Sequence, residues 1–148
     1  MLEPLLHGLS TYIPFIENRR KHTTGGTNDA GYCYSVWMRH YVHLIRNSNI
    51  SPLIIAELGP GESLGIGLAG LLAGAERYYG FDVVDYNTNE RNFAVLDQLV
   101  EMFKKKIDIP DSKDYPQLKP TLSSYKFPGD FLTDEKLEIN LSQDRIEK

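Results

Sequence analysis

The sequence is poor in sulfur and carries no positive excess. Among 148 residues there is one cysteine, Cys33, so no intramolecular disulfide can form. Its neighbours Tyr32, Tyr34 and Val36 point to a buried structural thiol rather than a nucleophile. A lone thiol is compatible with a reducing, cytoplasmic compartment. Lysines and arginines number 16 against 20 aspartates and glutamates, a net charge of −4. That sign argues against a nucleic-acid-binding surface, which needs a basic excess. The dense basic runs, Arg19-Arg20-Lys21 and Lys104-Lys105-Lys106, read as solvated surface. Long apolar runs are also missing. The longest, residues 64–75, has 12 residues, four of them glycine, whereas a membrane span needs about 20. No basic residue precedes Arg19, and Glu3, Pro4 and His7 interrupt the first apolar residues, so no secretory signal is expected. His7, His22, His40 and His43 show no metal-ligand spacing, and no metal site is expected. No Ser-His-Asp or Cys-His arrangement can be read, so catalytic residues stay unassigned.

What is present suits one soluble domain: 41% hydrophobic and 24% charged residues, enough for a core and too apolar for wholesale disorder. Three regions follow. Residues 1–50 read as a helical lead-in or lid, with a loop at Thr23-Thr24-Gly25-Gly26. Thr27, Asn28 and Asp29 are then all able to cap a helix over 30–46, with Cys33, Val36, Trp37, Tyr41 and Leu44 near one face. Residues 51–107 read as strand, glycine loop, helix, strand, helix. The run Leu53-Ile54-Ile55-Ala56 resembles a strand buried on both faces. Ser63 can cap a helix through Ala73, with Gly74 as its stop. Arg77-Tyr78-Tyr79-Gly80-Phe81 reads as the second strand. Thr88 caps a helix from 89 to about 106, with Phe93, Leu96, Leu99, Val100, Phe103 and Ile107 on one stripe. This order predicts a parallel α/β sheet, with strands over 53–58 and 77–82. Residues 108–148 hold four of the eight prolines and read as a surface excursion, with Thr133 and Ser142 as helix caps near the end.

The informative segment is Glu57-Leu58-Gly59-Pro60-Gly61-Glu62-Ser63-Leu64-Gly65. Glycines between a strand and a helix remove side chains where a ligand would approach, and the crevice at the carboxyl end of the strands is the usual ligand site of open α/β sheets. A literal G-x-G-x-x-G also exists, from Gly65 to Gly70. It begins inside the helical stretch and so fails the context of a dinucleotide fingerprint. Those glycines more simply let the helix sit close on the sheet. Glu62 discourages a pyrophosphate, whereas a carboxylate suits the ammonium group of a zwitterionic amino-acid ligand. Asp82, ending the second strand, can accept hydrogen bonds from ribose hydroxyls. The plainer alternatives stay open: Glu57 as a cap or ion-pair partner, Asp82 as a loop cap.

Residues 54–84 resemble class I S-adenosylmethionine-dependent methyltransferases. In that family the first strand ends in an acid and a glycine loop, matched by Glu57, Gly59, Pro60 and Gly61. The second strand ends in the acid that holds the ribose, matched by Asp82. The segment from Gly25 to Ala30, with Tyr34, Trp37, Arg39 and His40, also looks like the lead-in of bacterial methyltransferases of uncharacterised or saccharide-linked type. The resemblance implies a Rossmann-like fold, S-adenosylmethionine as cofactor, and a small-molecule methyl acceptor such as a saccharide. The family's full domain has a sheet of about seven strands, of which two can be placed here. The expectation is therefore the cofactor-binding front half of the enzyme, cut near Lys148. Such a half would be inactive alone, expose apolar surface and self-associate. The alternatives are a noncatalytic nucleotide-binding or interaction module, or an NAD-binding oxidoreductase fragment. Residues 25–39 are expected either to fold over the pocket as a lid or to pack as a plain helix.

Overall fold

The computed structural model describes residues 26–48 and 50–147. Residues 1–25, which include His7, His22 and Gly25, lie outside the described residues. The described elements are α1 (Ala30–Ser48), β1 (Ile54–Leu58), α2 (Gly65–Leu72), β2 (Arg77–Phe81), α3 (Asn89–Lys104), α4 (Asp134–Asn140) and α5 (Gln143–Ile146). The protein is thus mixed α/β, with five helices and one two-stranded sheet among the described residues. The strands are parallel, with Ile54 opposite Arg77 and Leu58 opposite Phe81.

Helix α1 starts at Asp29, whose carboxylate accepts from Gly31 N at 2.8 Å and Tyr32 N at 3.4 Å. Of the three possible caps in the sequence, Asp29 is therefore the one used. The buried stripe of α1 is Cys33, Tyr34, Trp37, Met38, Tyr41, Val42 and Ile45, adjacent pairs that recur every four residues along one face. Leu44, expected on that stripe, is 38% exposed. The stripe is rotated because α1 packs against both α2 and α3.

Helix α2 is short and almost entirely apolar, and it rests on the sheet. A Cβ on Gly67 would run into the Tyr78 ring, one on Gly70 into Ile55, and one on Gly65 into Cys33. Gly67 and Gly70 thus permit close helix–sheet approach, as their position inside the helix implied, and Gly65 permits close approach of α2 to α1. Gly74, at φ +113°, ends the helix as expected. Ser63 is not the N-cap. That position belongs to Leu64, without a side-chain cap, and the amides of this turn are met by Thr27, Asn92 and Ser63 itself, described below.

Helix α3 begins as read, with Thr88 accepting from Arg91 N. Its buried face is Val95, Leu99, Val100 and Phe103. Phe93, placed on the stripe by spacing, is 64% exposed, and Ile107 is 40% exposed. Thr133 caps α4 as expected, whereas Ser142 precedes α5 without a side-chain cap bond.

Two expectations are corrected. First, the strands are covered on one face only. Ile55, Glu57 and Tyr78 are half-buried, while Ile54, Leu58, Tyr79 and Phe81 on the other face are exposed. The helices that pack on this sheet lie on a single side of it, so apolar surface is exposed. Second, residues beyond 107 are not a surface excursion. Ile109, Leu132 and Leu137 join the common core. The stretch after α3 is tied to α1 by three side chains that bond its carbonyls. Tyr34 donates to Ile107 O at 2.7 Å, Ser35 to Pro110 O at 3.0 Å, and Arg39 to Pro110 O and Leu118 O. No described helix is long and apolar enough to cross a membrane.

Candidate functional site

The site forms where β1 and β2 end side by side. Gly59 N donates to Phe81 O at 2.7 Å, which prolongs the parallel ladder by one rung. The chain then turns through Gly59 at φ +71° and Gly61 at φ +78°. Glycine enters this left-handed region without penalty. Gly59 is exposed and has no atom within 4 Å of a would-be Cβ. Pro60 and Gly61 are buried, so the loop turns inward after its open first residue.

Asp82 faces this loop from the end of β2. Its Oδ2 accepts from Gly61 N at 3.3 Å, and its Oδ1 accepts from Val83 N at 2.7 Å and Val84 N at 3.3 Å. Asp82 thus caps its own turn and touches the glycine loop, while remaining exposed. A carboxylate has about four acceptor positions, so these bonds leave room for further donors.

Glu57 lies on the covered face of β1 and accepts from the Tyr78 hydroxyl at 2.7 Å. Burial raises its carboxyl above the ordinary value, and the Tyr78 bond partly offsets this. The Tyr78 phenol is itself pushed far up, first by burial and then by Glu57. A native carboxyl that holds its proton more tightly than the unfolded chain does loses stability as pH rises through that window. Glu57→Gln is therefore expected to stabilise the fold at pH 7 relative to pH 4. Thermal melts at both values check this; equal shifts at the two would show that Glu57 ionisation does not act on stability.

The amides of residues 62–65, which lead into α2, are engaged by the protein. Glu62 N and Ser63 N donate to Thr27 Oγ1 at 3.1 and 3.2 Å. Leu64 N donates to Asn92 Oδ1 at 2.9 Å, and Gly65 N to Ser63 Oγ at 3.2 Å. Ser63 Oγ in turn donates to Thr27 O, as does Cys33 Sγ at 3.2 Å. Asn28 donates to the Glu62 carboxylate. Burial, with Glu57 adding to it, pushes the Cys33 thiol up to about 12, so it is no nucleophile at neutral pH.

The structure therefore brings Gly59, Pro60, Gly61 and Asp82 together at the strand ends, with Glu57 below them on β1. Sequence reasoning missed Thr27, Asn92 and Tyr78. Thr27 stood only as one of three cap candidates. Asn92 lies in the first turn of α3 with no motif around it. Tyr78 was read as a strand aromatic, though its two-residue offset from Gly80 placed it on the same face as Glu57. Among the described residues no group of three or more His, Cys, Asp or Glu is placed to hold a metal ion. Compared with protein-family models, curated proteins and solved structures, the chain matches none of them.

Proposed function

We propose that this chain is the S-adenosylmethionine-binding part of a Rossmann-like methyltransferase that acts on a small molecule. The observation that carries this reading is the contact between Gly61 and Asp82 at the carboxyl ends of two adjacent parallel strands. An acid at that point suits the vicinal hydroxyls of a ribose, and a glycine loop beside it suits a ligand that approaches the backbone closely. The aminoacyl end of the cofactor would lie toward Glu57, whose carboxylate can pair with an ammonium group.

A nicotinamide cofactor suits the site less well. Dinucleotide folds place the pyrophosphate on free amides at the helix N-terminus. Here the amides of residues 61–65 each donate to a side chain of the protein. The Glu62 carboxylate adds negative charge at the same turn. S-adenosylmethionine has no phosphate and needs none of these donors. Methyl transfer from a sulfonium depends on in-line positioning and exclusion of water more than on acid–base groups.

Calorimetry with S-adenosylhomocysteine on Asp82 variants tests the proposal. Asp82→Ala is expected to weaken binding by on the order of 1–3 kcal/mol through lost hydrogen bonds to the ribose. Asp82→Asn, which keeps an acceptor for Gly61 N, should fall between it and the native chain. An affinity unchanged in both variants removes Asp82 from the site.

A further inference from the structure

A cleft lies between the start of α1 and the segment that follows α3. It encloses about 370 Å³ and is lined by Tyr32, Asp114, Tyr115, Pro116, Gln117 and Leu118. The rings of Tyr32 and Tyr115 meet edge to face, with centroids 5.7 Å apart and planes at 78°. Asp29 stands behind them, accepting from the Tyr115 hydroxyl at 2.7 Å. None of the lining residues is basic. The cleft adjoins the loop through a short turn. Gly26 packs against the Tyr32 ring, Thr27 holds Glu62 N and Ser63 N, and Asn28 reaches the Glu62 carboxylate.

The wall carrying Tyr115 is held rigidly. Arg39 is fully buried and spends its donors on Pro110 O at 2.9 Å, Leu118 O at 2.7 Å and Ser35 Oγ at 3.1 Å. Tyr115 N and Leu118 N close turns within the same stretch. Gly31 leaves room for the Tyr115 hydroxyl, because a Cβ there would sit 3.0 Å from it. A buried cation is an expensive way to pin a loop. Here it fixes the stretch that carries Tyr115 against Tyr32 of α1.

We propose that this cleft binds an organic ammonium group. Tyrosine rings set nearly at right angles in the lining attract a cation that presents alkyl surface as well as charge, and the exposed Asp114 carboxylate supplies the countercharge. Both phenols titrate above the ordinary tyrosine value, chiefly through burial, so the rings stay neutral and keep their π faces. The proposal rests on the transferase reading only where it makes the ammonium compound the methyl acceptor. In that role the cation site holds the acceptor's charged head and leaves its reacting atom to face the glycine loop.

The test titrates the full chain with choline and with neohexyl alcohol, its uncharged carbon isostere, following the tyrosine ring signals by NMR. Choline should bind saturably, and the alcohol roughly tenfold more weakly. Asp114→Asn and Tyr115→Ala should each weaken choline roughly fivefold or more, with S-adenosylhomocysteine affinity within about twofold of native. Asp114 is exposed, so its variant reports even if Tyr115→Ala does not fold. Equal binding of the neutral alcohol, tighter binding of methyl glucoside than of choline, or an unchanged Asp114→Asn variant would overturn the cation site. A chain that binds choline but not S-adenosylhomocysteine overturns the transferase reading alone. A chain that binds S-adenosylhomocysteine but not choline overturns the cation site alone.

Discussion

Arg39→Ala is expected to lower the stability of the fold by about 3–5 kcal/mol. The side chain is 0% exposed, and it has no carboxylate among its hydrogen-bond partners. Its charge is met by the carbonyls of Pro110 and Leu118, the Ser35 hydroxyl, and the face of Tyr125, whose centroid is 5.1 Å from the guanidinium carbon. Truncation removes all of these at once. It strands the Leu118 carbonyl, leaves Pro110 O with Ser35 alone as donor, and opens a cavity between α1 and residues 110–125. The orphaned acceptor and the cavity act in the same direction. Arg39→Lys should recover little, because an ammonium cannot reach three acceptors in the planar fork that guanidinium presents. Urea denaturation of the three chains measures the effect. A loss below about 1 kcal/mol would mean that the carbonyls are readily rehydrated, and that the loop is held by its own turns.

Thr27→Val is expected to destabilise by about 2–4 kcal/mol and to weaken S-adenosylhomocysteine binding as well. The two side chains are close in shape, so little packing is lost. What is lost is one oxygen that accepts from both Glu62 N and Ser63 N inside a buried turn. Two amides are then left without partners at the point where the glycine loop enters α2. Thr27→Ser restores the hydroxyl and should recover most of the stability. If Thr27→Val matched the native chain in both melting temperature and affinity, the loop would not depend on this bridge.

These two residues mark where the sequence stopped being readable. Elements set by neighbours in the chain were legible. The apolar run before Gly59 gave β1, and Thr88 and Thr133 opened α3 and α4 and Gly74 closed α2, these last three each through a bond within four residues. Residues whose partners lie far along the chain were not legible. Thr27 acts across 35 and 36 residues and Arg39 across 71 and 79, and neither spacing leaves a local pattern. The stripes of α1 and α3 were right at Cys33, Trp37, Tyr41, Leu99, Val100 and Phe103 but wrong at their edges for a related reason. Leu44 and Phe93 satisfy helical spacing, but spacing alone does not say which side of a helix meets its neighbours. The strand interior was misread in the same way. An apolar run fits burial on two faces, while the helix packed on the strands, α2, covers only one. The candidate site itself, Glu57 through Gly61 with Asp82, was legible because it sits at strand ends, where the need for glycine and for an acid is local. Its internal wiring through Thr27, Asn28, Asn92 and Tyr78 was not.

The most direct test of the transferase reading is a pair of calorimetric titrations of the full chain, one with S-adenosylhomocysteine and one with NAD. Saturable binding of S-adenosylhomocysteine is expected, and NAD binding at least about tenfold weaker, since the amides of residues 61–65 beside the strand ends are already bonded and Glu62 adds negative charge there. Tighter binding of NAD than of S-adenosylhomocysteine, or no binding of S-adenosylhomocysteine at all, would contradict that reading.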